Sequence, residues 1–148
     1  MPQPNSQPDS AEIIRRRIRD AGLRATAARV AVLQELLAAT SPVTHAQMAE
    51  RLAGGGHDRA TIYRNLVEMA EAGILSRIEL GDHVWRFELR RLEEAGVADH
   101  PHFVCVDCGE VSCLPTGSVS IQHDAGAKPA TIGTVTAVLL KGHCNHCG

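Results

Sequence analysis

Five cysteines supply the residue type in this chain with the most distinctive chemistry. Four of them form two Cys-x-x-Cys pairs, Cys105/Cys108 and Cys144/Cys147, and each pair is followed by a glycine. Two thiolates on a tight turn face one ion, and two such pairs complete the tetrahedral S4 shell that structural zinc prefers. A single pair could instead be a redox dithiol. The doubled motif predicts one structural zinc that joins chain segments distant in sequence.

Apolar residues at helical spacing predict two helices near the start of the chain. Ile13, Ile14 and Ile18 indicate a short amphipathic helix that ends by Gly22. Thr26 can cap a second helix by accepting a backbone hydrogen bond. The residues predicted to share one face of this second helix are Val30, Leu33 and Leu37.

Two further helices have clear start signals. Thr44 with Gln47 three residues later forms a capping box that opens a helix over 44–52, with Met48 and Leu52 facing inward. Glycines at 54–56 end it. Asp58 then caps a helix over 59–72, which Gly73 ends. Its predicted buried stripe is Ile62, Leu66 and Met69, and its predicted outer face is Arg59, Thr61, Tyr63, Arg64 and Asn65.

A hairpin follows these helices, with strands over 74–80 and 84–89 around Gly81-Asp82. Three of these helices followed by a hairpin give the order of a winged helix-turn-helix. The amino terminus of the 59–72 helix offers Arg, Thr, Tyr and Asn side chains, which can contact phosphates and base edges in a major groove. Alternatively, this polar face only keeps a small helical domain soluble.

Charge is distributed unevenly along the chain. Residues 11–91 contain thirteen arginines and ten acidic residues, whereas residues 92–148 contain two lysines and six acidic residues. A basic first half indicates contact with a polyanion. The Arg15-Arg16-Arg17 run by itself would be an ordinary solvated helix face.

Composition limits the remaining possibilities. With 148 residues and 44% apolar content, the chain fits one domain or two small ones. No apolar run approaches membrane-spanning length, and residues 1–10 lack the features of a signal peptide. Free thiols at metal-binding spacing predict a cytoplasmic location. With one Trp, one Tyr and two Phe, base stacking on an aromatic platform is not expected.

The second half predicts a small mixed unit. Strands are expected over 103–106, 110–114 and 131–140, with a weak helix over 119–127. So small a unit needs zinc and a partner subunit to bury its apolar strands. The fold class is therefore α+β, with a winged helix-turn-helix followed by a small zinc-stabilised α/β unit.

Several motifs, in this order, resemble the ferric uptake regulator (Fur) family of bacterial metal- and peroxide-sensing repressors. They are GLRATAAR (22–29), ATIYRNL (60–66), AGIL (72–75), FEL (87–89), HPHFVCVDCG (100–109) and GHCNHC (142–147). The resemblance implies a disordered tail (1–10), a DNA-binding winged helix (11–89), a hinge (90–102) and a dimerisation domain (103–148). It also implies a homodimer that binds double-stranded operator DNA, with no membrane and no small-molecule substrate.

The resemblance assigns roles to individual residues of the first half. Tyr63 corresponds to a base-contacting tyrosine, with Thr61 and Arg64 close to the DNA. Arg24 corresponds to a basic residue near the minor groove, and Arg29 to a phosphate contact. As an alternative, Tyr63 could pack beside Ile62, and Arg64 could pair with Glu68 at the i, i+4 spacing.

The resemblance also implies a regulatory divalent metal, which would be Zn²⁺, Fe²⁺ or Mn²⁺. Glu88, His100 and His102 match the carboxylate and His-x-His ligands of the family. Cys113 replaces a carboxylate ligand, and a thiolate among imidazoles favours zinc. Equally, Cys113 could be a small buried apolar residue. Pro42 occupies the position of a frequent histidine ligand, which leaves open whether His45 or His83 completes the site.

Two other classes of function compete with a metal-dependent repressor. A zinc hydrolase would need an open metal position with a general base, which Glu88 and the histidines could supply, but no substrate-binding motif accompanies them. A thiol oxidoreductase would need a reactive Cys-x-x-Cys at a helix start, whereas these pairs are predicted between strands. We therefore predict a transcriptional regulator and not an enzyme.

Overall fold

The computed structural model describes residues 10–90, 100–120, 133 and 135–148. These fall into two compact units. The first contains residues 10–39 and 43–90, and the second contains residues 40–42 and the described residues from 100 onward. Helices and small antiparallel and mixed sheets confirm the predicted α+β class. The predicted tail and hinge fall largely on residues 1–9 and 91–99, which lie outside the described residues, so the predicted domain bounds stay predictions.

The first unit contains four helices, each close to its predicted position: α1 (Ser10–Asp20), α2 (Ala27–Ala38), α3 (His45–Arg51) and α4 (Arg59–Glu71). The predicted caps are present. Thr26 accepts a hydrogen bond from the backbone N–H of Arg29, and Thr44 with Gln47 forms a complete capping box. Asp58 accepts from the backbone N–H of Thr61 at 2.6 Å. These bonds satisfy N–H groups that a helix start leaves without partners.

The first unit also contains a three-stranded antiparallel sheet in the order β1-β3-β2, formed by β1 (Val43–Thr44), β2 (Leu75–Glu79) and β3 (Trp85–Leu89). Strands β2 and β3 are the predicted wing. Strand β1 was not predicted, because two residues ahead of a helix cap carry no strand pattern of their own. It forms by pairing Val43 with Phe87 and Thr44 with Arg86.

The apolar faces of the helices meet the wing in one core that includes the fully buried Phe87. Two predicted positions are wrong. Leu37 is 52% exposed and Leu36 is buried in its place, because α2 turns its Val32, Leu33 and Leu36 side inward. Asn65, predicted on the outer face of α4, is 6% exposed, since it lies three residues after Ile62 on the inward side.

The second unit has a three-stranded sheet in the order β5-β4-β6, formed by β4 (His102–Cys105), β5 (Val111–Cys113) and β6 (Leu139–Gly142). Strand β5 runs antiparallel and β6 parallel to β4. The strand predicted over 131–140 is observed only from Leu139, and residues 131, 132 and 134 lie outside the described part. The predicted helix over 119–127 also falls mainly outside it. In the described residues, no helix has the length and apolar character needed to cross a bilayer.

Candidate metal centres and DNA-binding surface

The cysteines of the two Cys-x-x-Cys pairs meet in the second unit, with their sulfur atoms all within 4.8 Å of one another. The sulfurs of Cys108 and Cys144 are 3.8 Å apart. Four sulfurs about 2.3 Å from a tetrahedral Zn²⁺ would be about 3.8 Å from each other. All four cysteines lie in the described residues, and none of them is disulfide-bonded. The set therefore fits a structural zinc.

Sheet pairing and two tight turns bring these sulfurs together. Strand β4 ends at Cys105, which lies opposite Gly142 in the parallel strand β6, two residues before Cys144. Gly109 N–H donates to the Cys105 carbonyl at 3.0 Å, and Cys147 N–H donates to the Cys144 carbonyl at 3.1 Å. Gly109 has a φ of 74°, which glycine adopts without strain. The parallel pairing thus joins two segments that are distant in sequence.

The close spacing of the four thiols favours a bound cation. Backbone N–H groups, that of Cys108 foremost and then that of Cys144, lower the pKa of Cys105 to about 6. In contrast, the nearby thiols of Cys144 and then Cys108 raise the pKa of Cys147 to about 12. Four thiolates this close repel one another, so a proton is held within the cluster. A divalent cation offsets this repulsion and lets all four sulfurs ionise.

A second cluster in the same unit contains His100, His102 and Cys113, whose ligand atoms also lie within 4.8 Å of one another. The antiparallel pairing of β4 and β5 places His102 directly opposite Cys113, so their side chains share one face. His102 is 4% exposed, and its ring centroid is 4.6 Å from that of His100. Two imidazoles and one thiolate are a donor set suited to zinc.

The remaining predicted ligands belong to the first unit. Glu88 lies near the end of β3, opposite Ser76 in β2, and its role as a ligand stays a prediction. His83 lies in the wing turn with a φ of 59°, and its N–H donates to Glu79. His45 Nε2 is 2.9 Å from the Arg59 carbonyl. Neither histidine belongs to a cluster of three or more metal-binding side chains in the described part of the chain.

Helix α4 exposes a polar face at its start. Tyr63 is 44% exposed and Arg64 is also exposed, whereas Ile62, Leu66 and Met69 are buried as predicted. Arg64 lies 3.5 Å from the hydroxyl of Thr61. Glu68 forms its ion pair with Arg29 of α2 and not with Arg64. This face can reach phosphates and base edges, and the DNA contacts of Thr61, Tyr63 and Arg64 stay predictions.

The other two predicted DNA contacts have different environments. Arg24 is exposed in the loop before α2. The Arg29 side chain is only 14% exposed, because it pairs with Glu68 and donates a 2.9 Å hydrogen bond to the Arg24 carbonyl. Both roles stay predictions, but Arg29 visibly ties together α2, α4 and the preceding loop.

Two side-chain ring contacts in the first unit were not predicted from the sequence. The guanidinium of Arg77 lies 3.9 Å from the ring centroid of Trp85, which is 45% exposed on the wing. The His45 ring meets the Tyr63 ring edge-on, with centroids 5.2 Å apart. Both pairs join residues from different elements, so no local pattern could have indicated them.

A winged helix-turn-helix unit together with two clusters of metal-binding side chains defines a class of metal-binding, DNA-binding regulator. The model of the ferric uptake regulator family matches residues 20–136, which is more than half of the chain. The chain therefore belongs to the ferric uptake regulator family. It is a metal-responsive DNA-binding transcriptional regulator, as predicted, and the hydrolase alternative has no support.

Curated relatives and solved structures agree with this assignment. The ferric uptake regulation protein of Legionella pneumophila is 34% identical, over 88% of this chain and 95% of its own. That of Escherichia coli (strain K12) is 31% identical, over 86% and 85%. The structure of the Pseudomonas aeruginosa ferric uptake regulator with manganese has a TM-score of 0.60 and 28% identity, over 90% of this chain and 98% of its own.

Proposed function

We propose that this regulator represses transcription by binding operator DNA as a homodimer when a divalent metal occupies its regulatory site. The observation that carries the proposal is the exposed start of α4, where Tyr63 and Arg64 point away from a fully buried apolar stripe. An exposed aromatic and an arginine at the start of the second helix of a helix-turn-helix suit contact with base edges.

We assign the structural zinc to Cys105, Cys108, Cys144 and Cys147 on the basis of their sulfur distances. The regulatory metal is assigned to His100, His102 and Cys113, with Glu88 added from the family resemblance. Zinc is favoured over Fe²⁺ and Mn²⁺ because Cys113 offers a thiolate. Occupancy of this site is proposed to raise the affinity of the regulator for its operator.

The second unit supports the homodimer. Strand β6 is at one edge of its three-stranded sheet, and Leu140 on that strand is 38% exposed. An exposed apolar edge is stabilised when a second copy covers it. Two copies would also present two α4 helices to a pseudo-palindromic operator.

The test uses the full chain with its structural zinc and an operator selected from random DNA. Zn²⁺, Fe²⁺, Mn²⁺ and Ni²⁺ are titrated separately while fluorescence anisotropy follows operator binding. We expect Zn²⁺ to raise operator affinity at least tenfold, and the operator to raise Zn²⁺ affinity by the same factor. The His102→Ala variant should lose this response and keep its structural zinc and dimer.

If none of the four metals changes the operator affinity, the proposed regulatory site is contradicted. A Tyr63→Ala variant that selects and binds the operator like the parent would contradict the assigned DNA surface. The Cys113→Asp variant tests the metal preference, since a carboxylate should shift it away from zinc towards Fe²⁺ and Mn²⁺.

A further inference from the structure

His45, the first residue of α3, bridges the starts of α3 and α4. Its Nε2 atom is 2.9 Å from the carbonyl oxygen of Arg59, the first residue of α4. A carbonyl oxygen only accepts, so Nε2 carries the hydrogen and donates it. The imidazole therefore ties the two helices of the helix-turn-helix together at the end that exposes Tyr63.

The same ring also contacts the side chain assigned to base recognition. The ring centroids of His45 and Tyr63 are 5.2 Å apart and the ring planes are at 63°, which is a favoured edge-to-face arrangement. Tyr63 follows Arg59 by four residues, so both lie on one side of α4. One half-buried imidazole thus contacts the backbone at the start of α4 and the phenol ring one turn later.

We propose that His45 is a positioning residue for DNA recognition, which holds the Tyr63 ring in its binding conformation before DNA arrives. This inference rests on the proposed role of Tyr63 in base recognition. Tyr63 is 44% exposed, so without this contact its ring would sample several rotamers. Ordering the ring in advance lowers the entropic cost of binding the correct sequence.

Positioning of Tyr63 should affect the preference for the operator over other DNA sequences. Phosphate contacts provide affinity for any DNA, whereas a positioned side chain at base edges provides sequence preference. Loss of His45 should therefore reduce the ratio of operator to non-specific affinity. We expect a reduction of about three- to tenfold, the range that corresponds to one aromatic pair.

The DNA experiment compares six zinc-loaded full-length proteins: the parent, His45→Ala, His45→Phe, the matched control His57→Ala, Tyr63→Ala and the double variant with both His45→Ala and Tyr63→Ala. His45→Ala should lower the operator preference without changing the salt dependence of binding. His45→Phe retains an aromatic edge and should recover part of the preference, while His57→Ala, in the loop between the same helices, should match the parent. In a Tyr63→Ala background, His45→Ala should have no further effect. Equal losses in both backgrounds would overturn the proposal.

A second measurement does not depend on DNA. Tyr63 is the single tyrosine of the chain, so incorporation of 3-fluorotyrosine gives one ¹⁹F signal from this ring. His45→Ala should shift and sharpen that signal, His45→Phe should restore part of the parent shift, and His57→Ala should leave it unchanged. A parent-like ¹⁹F signal in His45→Ala would overturn the positioning role.

The Tyr63→Ala and His45→Ala variants distinguish failure of the proposed base contact from failure of the positioning role. If Tyr63→Ala keeps the operator preference, the proposed base contact fails and the positioning proposal fails with it. If Tyr63→Ala loses the preference but His45→Ala keeps it, only the positioning proposal fails.

Discussion

Arg29 has a predicted role in DNA binding and also contacts other residues within the fold. The family resemblance predicts a phosphate contact, whereas the structure places its guanidinium against Glu68 and the Arg24 carbonyl with 14% of the side chain exposed. Arg24, its neighbour in the loop, is exposed. The two arginines should therefore affect DNA binding by different routes.

Replacing each arginine separately tests this difference. Arg29→Ala should lower the free energy of unfolding by about 2 kcal/mol, because it removes charged hydrogen bonds between α2 and α4. It should leave the salt dependence of DNA binding unchanged. Arg24→Ala should reduce the slope of log affinity against log salt by about one, with little effect on stability. Urea unfolding measures the stability of each variant, and DNA binding at several salt concentrations measures the slope. A reduced slope of log affinity against log salt in Arg29→Ala would instead support the predicted phosphate contact of Arg29.

Among the elements, α4 depends on a charged cap at its start. Asp58 accepts a hydrogen bond from the backbone N–H of Thr61, and this bond lowers the pKa of the Asp58 carboxyl group. A carboxylate there also interacts favourably with the positive end of the helix dipole. The cap thus links the stability of α4 to pH.

The sign of this effect follows from the lowered pKa. The charged cap contributes its full stabilisation above the unfolded pKa of about 4 and loses it as pH falls through the lower folded pKa. The Asp58→Asn variant keeps a capping oxygen without the charge. The parent should be more stable than Asp58→Asn at pH 7, and the difference should shrink below about pH 4. Urea unfolding of both proteins across this range measures it, and a pH-independent difference would exclude the linkage.

At the scale of the whole molecule, the two units differ in what stabilises them. In the described residues, nearly all buried apolar side chains belong to the first unit, and the exceptions in the second unit are Pro42, Pro101 and Cys105. The second unit therefore has little apolar burial to offset the entropy of ordering its chain. The zinc proposed at its four thiolates would add stability to this unit, beside what a partner subunit contributes.

Cys147→Ser tests this dependence with little change in packing, because Cys147 is exposed. We expect loss of the tightly bound zinc, loss of hydrogen-exchange protection in β4–β6, and native-like protection in α4. Zinc per chain and hydrogen exchange followed by mass spectrometry measure these effects. Asn145→Ser, in the same turn, is the matched control and should behave like the parent. Protected β4–β6 strands without zinc would show that another interaction stabilises this unit.

Features that depend on neighbouring residues could be predicted from the amino-acid sequence. The four helices, their Thr26, Thr44 and Asp58 caps and the two wing strands follow from spacings of a few residues. The doubled Cys-x-x-Cys motif also predicted which thiols assemble, because an S4 zinc shell needs four thiolates and two such pairs supply them. Short-range geometry is encoded locally, so such features can be predicted without knowledge of the tertiary structure.

Features that join distant segments could be identified only in the folded chain. Strand β1 exists because Val43 pairs with Phe87, and the Arg29 side chain is largely buried because α2 packs against α4. The edge contact of His45 with Tyr63 depends on how α3 meets α4. The free energy of such contacts is realised only when both segments are already in place. No spacing in either segment alone therefore indicates them.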